Sequence, residues 1–179
     1  DLAGTRAALA ALPAFDILVN NAGTNRPRGF LEVSVEDYDV IMGLNVRAAF
    51  FLAQAVAAGM VAAGRGGSII NVSSQMGHVG AARRSVYCAS KWAMEGMTKA
   101  MAMDLATHQI RVNTIGPTFI ETPLASTFLK DPAFRDSVLS KIKLGRIGQV
   151  EDLMGAVVYL ASPASALVTG TSLVVDGGW

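Results

Sequence analysis

Gly67-Ser68-Ile69-Ile70-Asn71-Val72-Ser73-Ser74 is followed, after twelve intervening residues, by Tyr87-Cys88-Ala89-Ser90-Lys91. The first segment, a run of Ile and Val after a Gly pair, reads as a buried strand, and a long helical pattern begins just before the second. A strand that feeds a helix is the repeating unit of a parallel α/β sheet, and ligands bind beyond the carboxyl ends of such strands. Ser74 at the strand end and Tyr87 at the helix start are therefore expected to face one cleft. Tyr87 and Lys91 are one helical turn apart. Phenol and ammonium then share a face, and the positive charge is expected to lower a phenol pKa that is about 10 in model compounds.

Composition bounds what such a cleft can serve. With 179 residues, 51% of them hydrophobic and 16% charged, the chain can bury one sizeable core, and we read residues 1–179 as a single domain. The 15 basic and 14 acidic residues are scattered, so no basic stripe points to nucleic acid. A single cysteine, Cys88, excludes an internal disulfide framework and suits a reducing cytoplasm. Nothing at the start reads as a signal peptide, and Gly, Asn or charge interrupts each apolar stretch, so no membrane span is expected. No His or Cys pair has metal-ligand spacing.

The flanking elements follow in order. Asp1 to Leu12 reads as an Ala-rich helix ended by Pro13, and Phe15 to Val19 as a strand. Asn20-Asn21-Ala22-Gly23 closes that strand with two amides and small residues that let backbone approach a ligand, although alone it would be an ordinary turn. Ser34, Glu36 and Asp37 mark the start of a helix running to about Ala63, with Tyr38, Ile41, Leu44, Phe51, Leu52 and Ala55 expected inward. Asn45 sits among those apolar positions, where an amide is disfavoured. The helix from Ser85 to Thr107 carries Ala89, Ala93, Met94, Met97, Ala100, Met101 and Leu105, read as core plus subunit interface. Ile110 to Ile115 and Ser172 to Val175 read as strands, and a helix opened by Val150 runs to Ala161. Residues 123–148 lack a long period and read as a loop with short helices. His108 is expected at the surface; His78 could border the cleft, but it has no carboxylate neighbour in sequence.

These residues together resemble the short-chain dehydrogenase/reductase family. Its pattern of a Ser, then thirteen positions on a Tyr-x-x-x-Lys, is met by Ser74, Tyr87 and Lys91. Further matches are Asn20 to Gly23, Leu44-Asn45-Val46, Ile110-Arg111-Val112-Asn113, Pro117 followed by Thr122, and Gly170 through Gly178. The resemblance implies the C-terminal part of a doubly wound Rossmann-type parallel sheet with helices on both faces. It also implies that roughly 60 residues of the family pattern, two βαβ units with the Gly-rich phosphate-binding turn, are lacking ahead of Asp1. Asp1 itself is either a residue beside the adenine or a helix cap.

For the site, the resemblance implies NAD or NADP as cofactor and a catalytic set of Asn45, Ser74, Tyr87 and Lys91. Cofactor contacts would come from Asn21, Ala22, Gly23, Tyr87, Lys91, Pro117, Ile120 and Thr122. Asn45 would hold a helix irregularity and a water. A substrate lid would lie within residues 123–148. Family members usually have Gly after the Pro at 117; Thr118 stands here, and a β-branched residue resists positive φ, so a different loop is expected.

The chemistry that this constellation is expected to support is hydride transfer coupled to proton transfer at a secondary alcohol or ketone. A carbinol losing hydride must also lose its hydroxyl proton, which assigns the acid/base role to Tyr87 and a hydrogen bond to the substrate oxygen to Ser74. Arg26, Arg83 and Arg84 near one cleft would suit an anionic small-molecule substrate, and their positions resemble those in gluconate and deoxygluconate dehydrogenases. A sugar acid or polyol is the preferred substrate; the alternatives are 3-oxoacyl thioester reduction and a non-catalytic truncated member. Apolar helix surface implies a homo-tetramer or dimer.

Overall fold

The computed structural model describes residues 2–179; Asp1, with its two readings, lies outside them. In chain order the main elements are α1 (Leu2–Ala10), β1 (Ile17–Asn20), α2 (Val35–Met42), α3 (Ala49–Ala63), β2 (Gly67–Val72), α4 (Ser85–Leu105), β3 (Ile110–Pro117), α5 (Pro123–Leu129), α6 (Pro132–Leu139), α7 (Glu151–Ala161) and β4 (Ser172–Val175). The strands form one parallel sheet in the order β1-β2-β3-β4. Parallel neighbours need a crossover, and α3, α4 and α7 supply one each.

Successive residues of a strand face opposite ways, and β2 shows what that requires here. Ile69 packs with Ile110 and Val112 of β3 under Ala53, Val56, Ala57 and Met60 of α3 and Ala102 of α4. Ile70, its neighbour, packs with Ile115 and with Leu160 of α7 on the other face. With helices on both faces, the strands read as apolar runs rather than alternations. The 123–148 segment is not loose: Val138, Ile142 and Ile147 form a third cluster with Phe119, Phe134 and Trp179. Among the described residues β1 pairs on one side only, with β2, and Ile17 and Val19 remain 46% and 42% exposed.

Two helices depart from expectation. Ser34 caps α2, its Oγ accepting from Asp37 N at 3.0 Å, but residues Gly43–Ala48 wind as a π-helix before α3. The buried positions step by four, at 41, 45, 49, 53 and 57. An α-helix rotates such a series off its face, and a wider turn brings it back. The inward face is therefore Ile41, Asn45, Ala49, Ala53, Val56, Ala57 and Met60; Tyr38 and Leu44 lie at the surface and Phe51, Leu52 and Ala55 are half-buried. The run Val35–Ala63 contains an 18-residue window of mean hydropathy 1.7 and is long and apolar enough to cross a membrane by length and composition, contrary to the sequence reading. Its inward stripe is seated on the sheet instead.

The buried face of α4 is Ser90, Lys91, Met94, Glu95, Thr98 and Ala102. Of the expected Ala and Met stripe only Met94 is fully buried. That polar face is turned toward the ends of β2 and β3.

Candidate active site

The parallel register brings the strand ends together. Asn20 lies beside Asn71, so the Asn21 to Gly23 segment leaves β1 next to the place where Ser73 and Ser74 leave β2. Ser74 caps a 3₁₀ turn over Gln75–Gly77, its Oγ accepting from Met76 N at 3.1 Å. Tyr87 and Lys91, one turn apart on α4, meet Ser74 in a cavity of about 250 Å³. Asn21, Gly23, Ile120 and Thr122 also line it; Ala22 and Pro117 do not, and Thr118 does.

Asn45 stands behind this cavity, wholly buried. Its Oδ1 accepts from Thr24 N at 2.8 Å, and its Nδ2 donates to Thr24 O at 2.9 Å and Ser90 Oγ at 3.0 Å. Ser90 Oγ in turn donates to Tyr87 O at 2.7 Å. The π turn thus presents an amide that ties the Asn21–Thr24 segment to the first turns of α4. A Cβ added to Gly23 would touch Asn45 Oδ1 at 3.5 Å and Lys91 Nζ at 3.8 Å, so a longer side chain there would fill the cleft.

The electrostatics correct one expectation. Lys91 is 4% exposed, its Nζ donates to Val72 O at 2.9 Å, and burial lowers its pKa to about 8 against an opposing pull from Glu95. Burial raises the Tyr87 phenol, opposed by a hydrogen bond with Ser74 and by the charge of Arg84. The expected net lowering by Lys91 is not seen. Nζ is 5.7 Å from the ring centroid and committed to a carbonyl. The cation that acts on the phenol is Arg84.

The arginines separate. Arg26 pairs with Glu36 and Asp37 at 3.1 Å each, Arg28 with Asp37 at 3.4 Å, and Arg83 with Glu32 at 3.7 Å. Arg83 holds a left-handed φ of 61°, and Arg28 N donates to its carbonyl at 3.0 Å. That backbone costs a residue with a Cβ about 1–2 kcal/mol. Arg83 points outward to Glu32, while Arg84, half-buried, lines the cavity with its guanidinium over Phe119 at 5.6 Å and Phe128 at 5.9 Å. One free guanidinium, not three, faces the cleft.

Buried polar groups are nearly always hydrogen-bonded. Here Asn25 Oδ1, Ser73 Oγ, Thr118 Oγ1 and both polar atoms of the Gln75 amide are buried without a partner, and all four residues line this one cavity. A polar guest fits, and donors and acceptors beside Lys91 and Thr122 suit a ribose and a carboxamide, the nicotinamide end of a dinucleotide. A Gly-rich strand-to-helix turn for the pyrophosphate is not among the described residues. Thr118 takes no positive φ, as its β-branched side chain requires. The following residues are pinned to Gly148, whose N donates to Phe119 O at 3.0 Å and whose O accepts from Glu121 N at 2.8 Å.

Sequence reasoning missed Gln75, Thr118, Phe119 and Phe128 as lining residues. A large amide immediately after a strand end was a usable signal for Gln75; the two Phe gave none. His108 is exposed as expected. His78 lies outside the lining, yet it does have a carboxylate: Nε2 is 3.5 Å from Glu95 and 3.0 Å from Ser172 Oγ, and Glu95 accepts from Thr114 Oγ1 at 2.9 Å. No cluster able to hold a metal ion occurs among the described residues.

Comparison with known proteins extends this picture. A family model described as enoyl-(acyl carrier protein) reductase matches residues 3–179. L-xylulose reductase of Bos taurus is 40% identical over 179 residues, all of this chain and 73% of that protein. The 2-dehydro-3-deoxy-D-gluconate 5-dehydrogenase of Escherichia coli is 42% identical over 172 residues, 96% of this chain and 68% of that one. Among solved structures, a gluconate 5-dehydrogenase from Burkholderia cenocepacia in complex with NADP and tartrate superposes with a TM-score of 0.96 at 39% identity, covering 99% of this chain and 71% of that one. A putative 2-deoxy-D-gluconate 3-dehydrogenase from Agrobacterium tumefaciens with bound NADP gives 0.94 at 40% identity, covering 100% and 74%. With such likeness along nearly its whole length, the chain belongs to the short-chain dehydrogenase/reductase family and is an NAD(P)-dependent oxidoreductase of alcohols and ketones.

Proposed function

We propose that this enzyme interconverts a secondary alcohol and a ketone on a sugar-type substrate, a sugar acid or polyol, with Tyr87 as acid/base. The observation that carries the proposal is the convergence of Ser74, Tyr87 and Lys91 on one cavity whose remaining polar atoms lack partners. The nicotinamide, when bound, supplies or accepts the hydride. Tyr87 gives its phenolic proton to the carbonyl oxygen in reduction and takes it back in oxidation. Ser74 donates a hydrogen bond to the same oxygen, stabilising the charge that develops there. Lys91 brings a cation to the cofactor ribose beside Gly23, and Asn45 holds the Thr24 backbone and Ser90 in register around it. Asn21, Gly23, Ile120 and Thr122 line the nicotinamide end, with Ala22 and Pro117 fixing the backbone beside it. The Gln75 amide offers one donor and one acceptor to substrate hydroxyls.

The relatives named for xylulose, gluconate and deoxygluconate support this substrate class, and the two NADP-bound structures favour NADP. The competing reading is 3-oxoacyl thioester reduction. Turnover of a panel of sugar acids, polyols and 3-oxoacyl thioesters by the protein as encoded, followed by nicotinamide absorbance, decides between them. Activity on sugar acids or polyols is expected; activity confined to thioesters overturns the reading.

The proposal extends to assembly and setting. An apolar groove between α3 and α4, with Phe50, Val61, Met101 and Leu105 along it, suits pairing of copies into a homo-dimer or tetramer. Sedimentation checks this, and a monomer at micromolar concentration counts against it. A reducing cytoplasm suits the lone thiol of Cys88, and neither a membrane nor a nucleic acid has a role in this scheme.

A further inference from the structure

We propose that Arg84 is the substrate-carboxylate anchor of this site, which makes the preferred substrates hydroxy and oxo acids rather than neutral polyols. The inference rests on the oxidoreductase reading above and narrows its substrate class.

Three observations carry it. Arg84 lines the cavity that holds Ser74 and Tyr87, and it precedes Tyr87 by three positions, so guanidinium and phenol lie on the same side of the start of α4. No carboxylate among the described residues pairs with Arg84. Asp37, which lines a neighbouring cleft with it, holds Arg26 and Arg28, and Glu32 holds Arg83. The Tyr87 phenol, kept protonated by burial, brings no negative charge. The guanidinium lies over the rings of Phe119 and Phe128, which take it partly out of water without neutralising it.

A partly desolvated guanidinium without a counter-charge is unfavourable, and the deficit is removed by a ligand anion. With two aromatic rings beside it, the Arg84 guanidinium still carries paired N–H groups that match a carboxylate. The Gln75 amide, 3% exposed and without partners, lines the same cavity and suits a hydroxyl. A guest with a carboxylate at one end and hydroxyls along its chain answers both.

The test compares matched substrates, gluconate and the neutral alditol glucitol, with the protein as encoded. Wild type is expected to favour the acid. Arg84→Met should lower kcat/KM for gluconate about 10²-fold more than for glucitol, the difference lying in KM, because any effect through the Tyr87 phenol falls on both substrates alike; nucleotide affinity should stay unchanged. Arg84→Lys, which restores a charge without the fork, should recover part of the loss. Equal losses on acid and alditol, or no loss on either, overturn the assignment, as does a wild type that prefers the alditol. Those outcomes leave the oxidoreductase reading in place. Absence of turnover with either compound, with thioesters reduced instead, overturns both.

Discussion

Replacing Lys91 by Met should stabilise the protein while abolishing its turnover. The ammonium is buried, and burial takes its pKa from 10.5 to about 8. Each unit corresponds to 1.36 kcal/mol, so keeping the charge in the fold at neutral pH destabilises it by roughly 3 kcal/mol relative to a solvated lysine. Met keeps most of the length of the side chain and removes the charge. It also takes the donor from Val72 O, which Nζ meets at 2.9 Å, and the orphaned carbonyl costs about 1 kcal/mol. The desolvation effect wins, and the net gain is about 2 kcal/mol at pH 7.

The pH dependence gives this prediction its signature. A lysine whose folded pKa lies below its unfolded one binds fewer protons when folded, so wild-type stability rises with pH between about 8 and 10.5. The variant lacks that rise. Its advantage should shrink through this window and vanish or reverse near the top. Tyr87, whose raised pKa works the other way at still higher pH, is present in both proteins and cancels in the difference. Urea unfolding of both proteins at neutral and alkaline pH, without added nucleotide, reads the effect directly. A variant less stable than wild type at pH 7, or two proteins with parallel pH profiles, would refute the reasoning.

Two further substitutions probe the supporting shell. Asn45→Ala leaves the Thr24 N–H and C=O without partners and should cost about 2–4 kcal/mol of stability, checked by the same urea titrations; a loss below about 1 kcal/mol would show that the π turn does not depend on this amide. Glu95→Gln removes the carboxylate that supports the Lys91 charge, so the alkaline limb of the turnover profile should move to lower pH, read from pH–rate measurements; an unmoved limb would separate Glu95 from Lys91.

Local signals in the sequence specified much of this fold. The Ser172 to Val175 run is the strand β4 to the residue, and the run read as a strand from Gly67 to Ser74 is β2 over Gly67–Val72, because apolar, β-branched stretches bounded by Gly and polar residues leave little freedom. The spacing of Ser74, Tyr87 and Lys91 held for the same reason, each being set by one strand end or one helical turn. Asn45 marked a helix irregularity, but the π turn it sits in re-aims the whole inward face, which a 3.6-residue period cannot anticipate. Charge partnerships were the least legible. Three adjacent-looking arginines diverge because Glu32, Glu36 and Asp37 come from another segment and a left-handed Arg83 turns the chain between two of them. His78 gains Glu95 only through the packing of α4 on the 3₁₀ turn. The Lys91 pKa likewise depends on burial that no spacing reveals.

Turnover by Tyr87→Phe, with nucleotide affinity measured in parallel, tests the central claim most directly. The substitution keeps the ring and removes only the proton-carrying oxygen. Turnover of a sugar acid or polyol should fall by about 10²–10⁴-fold, with NAD(P) affinity and folding retained. Turnover within a few-fold of wild type would contradict the account and take the acid/base role away from Tyr87.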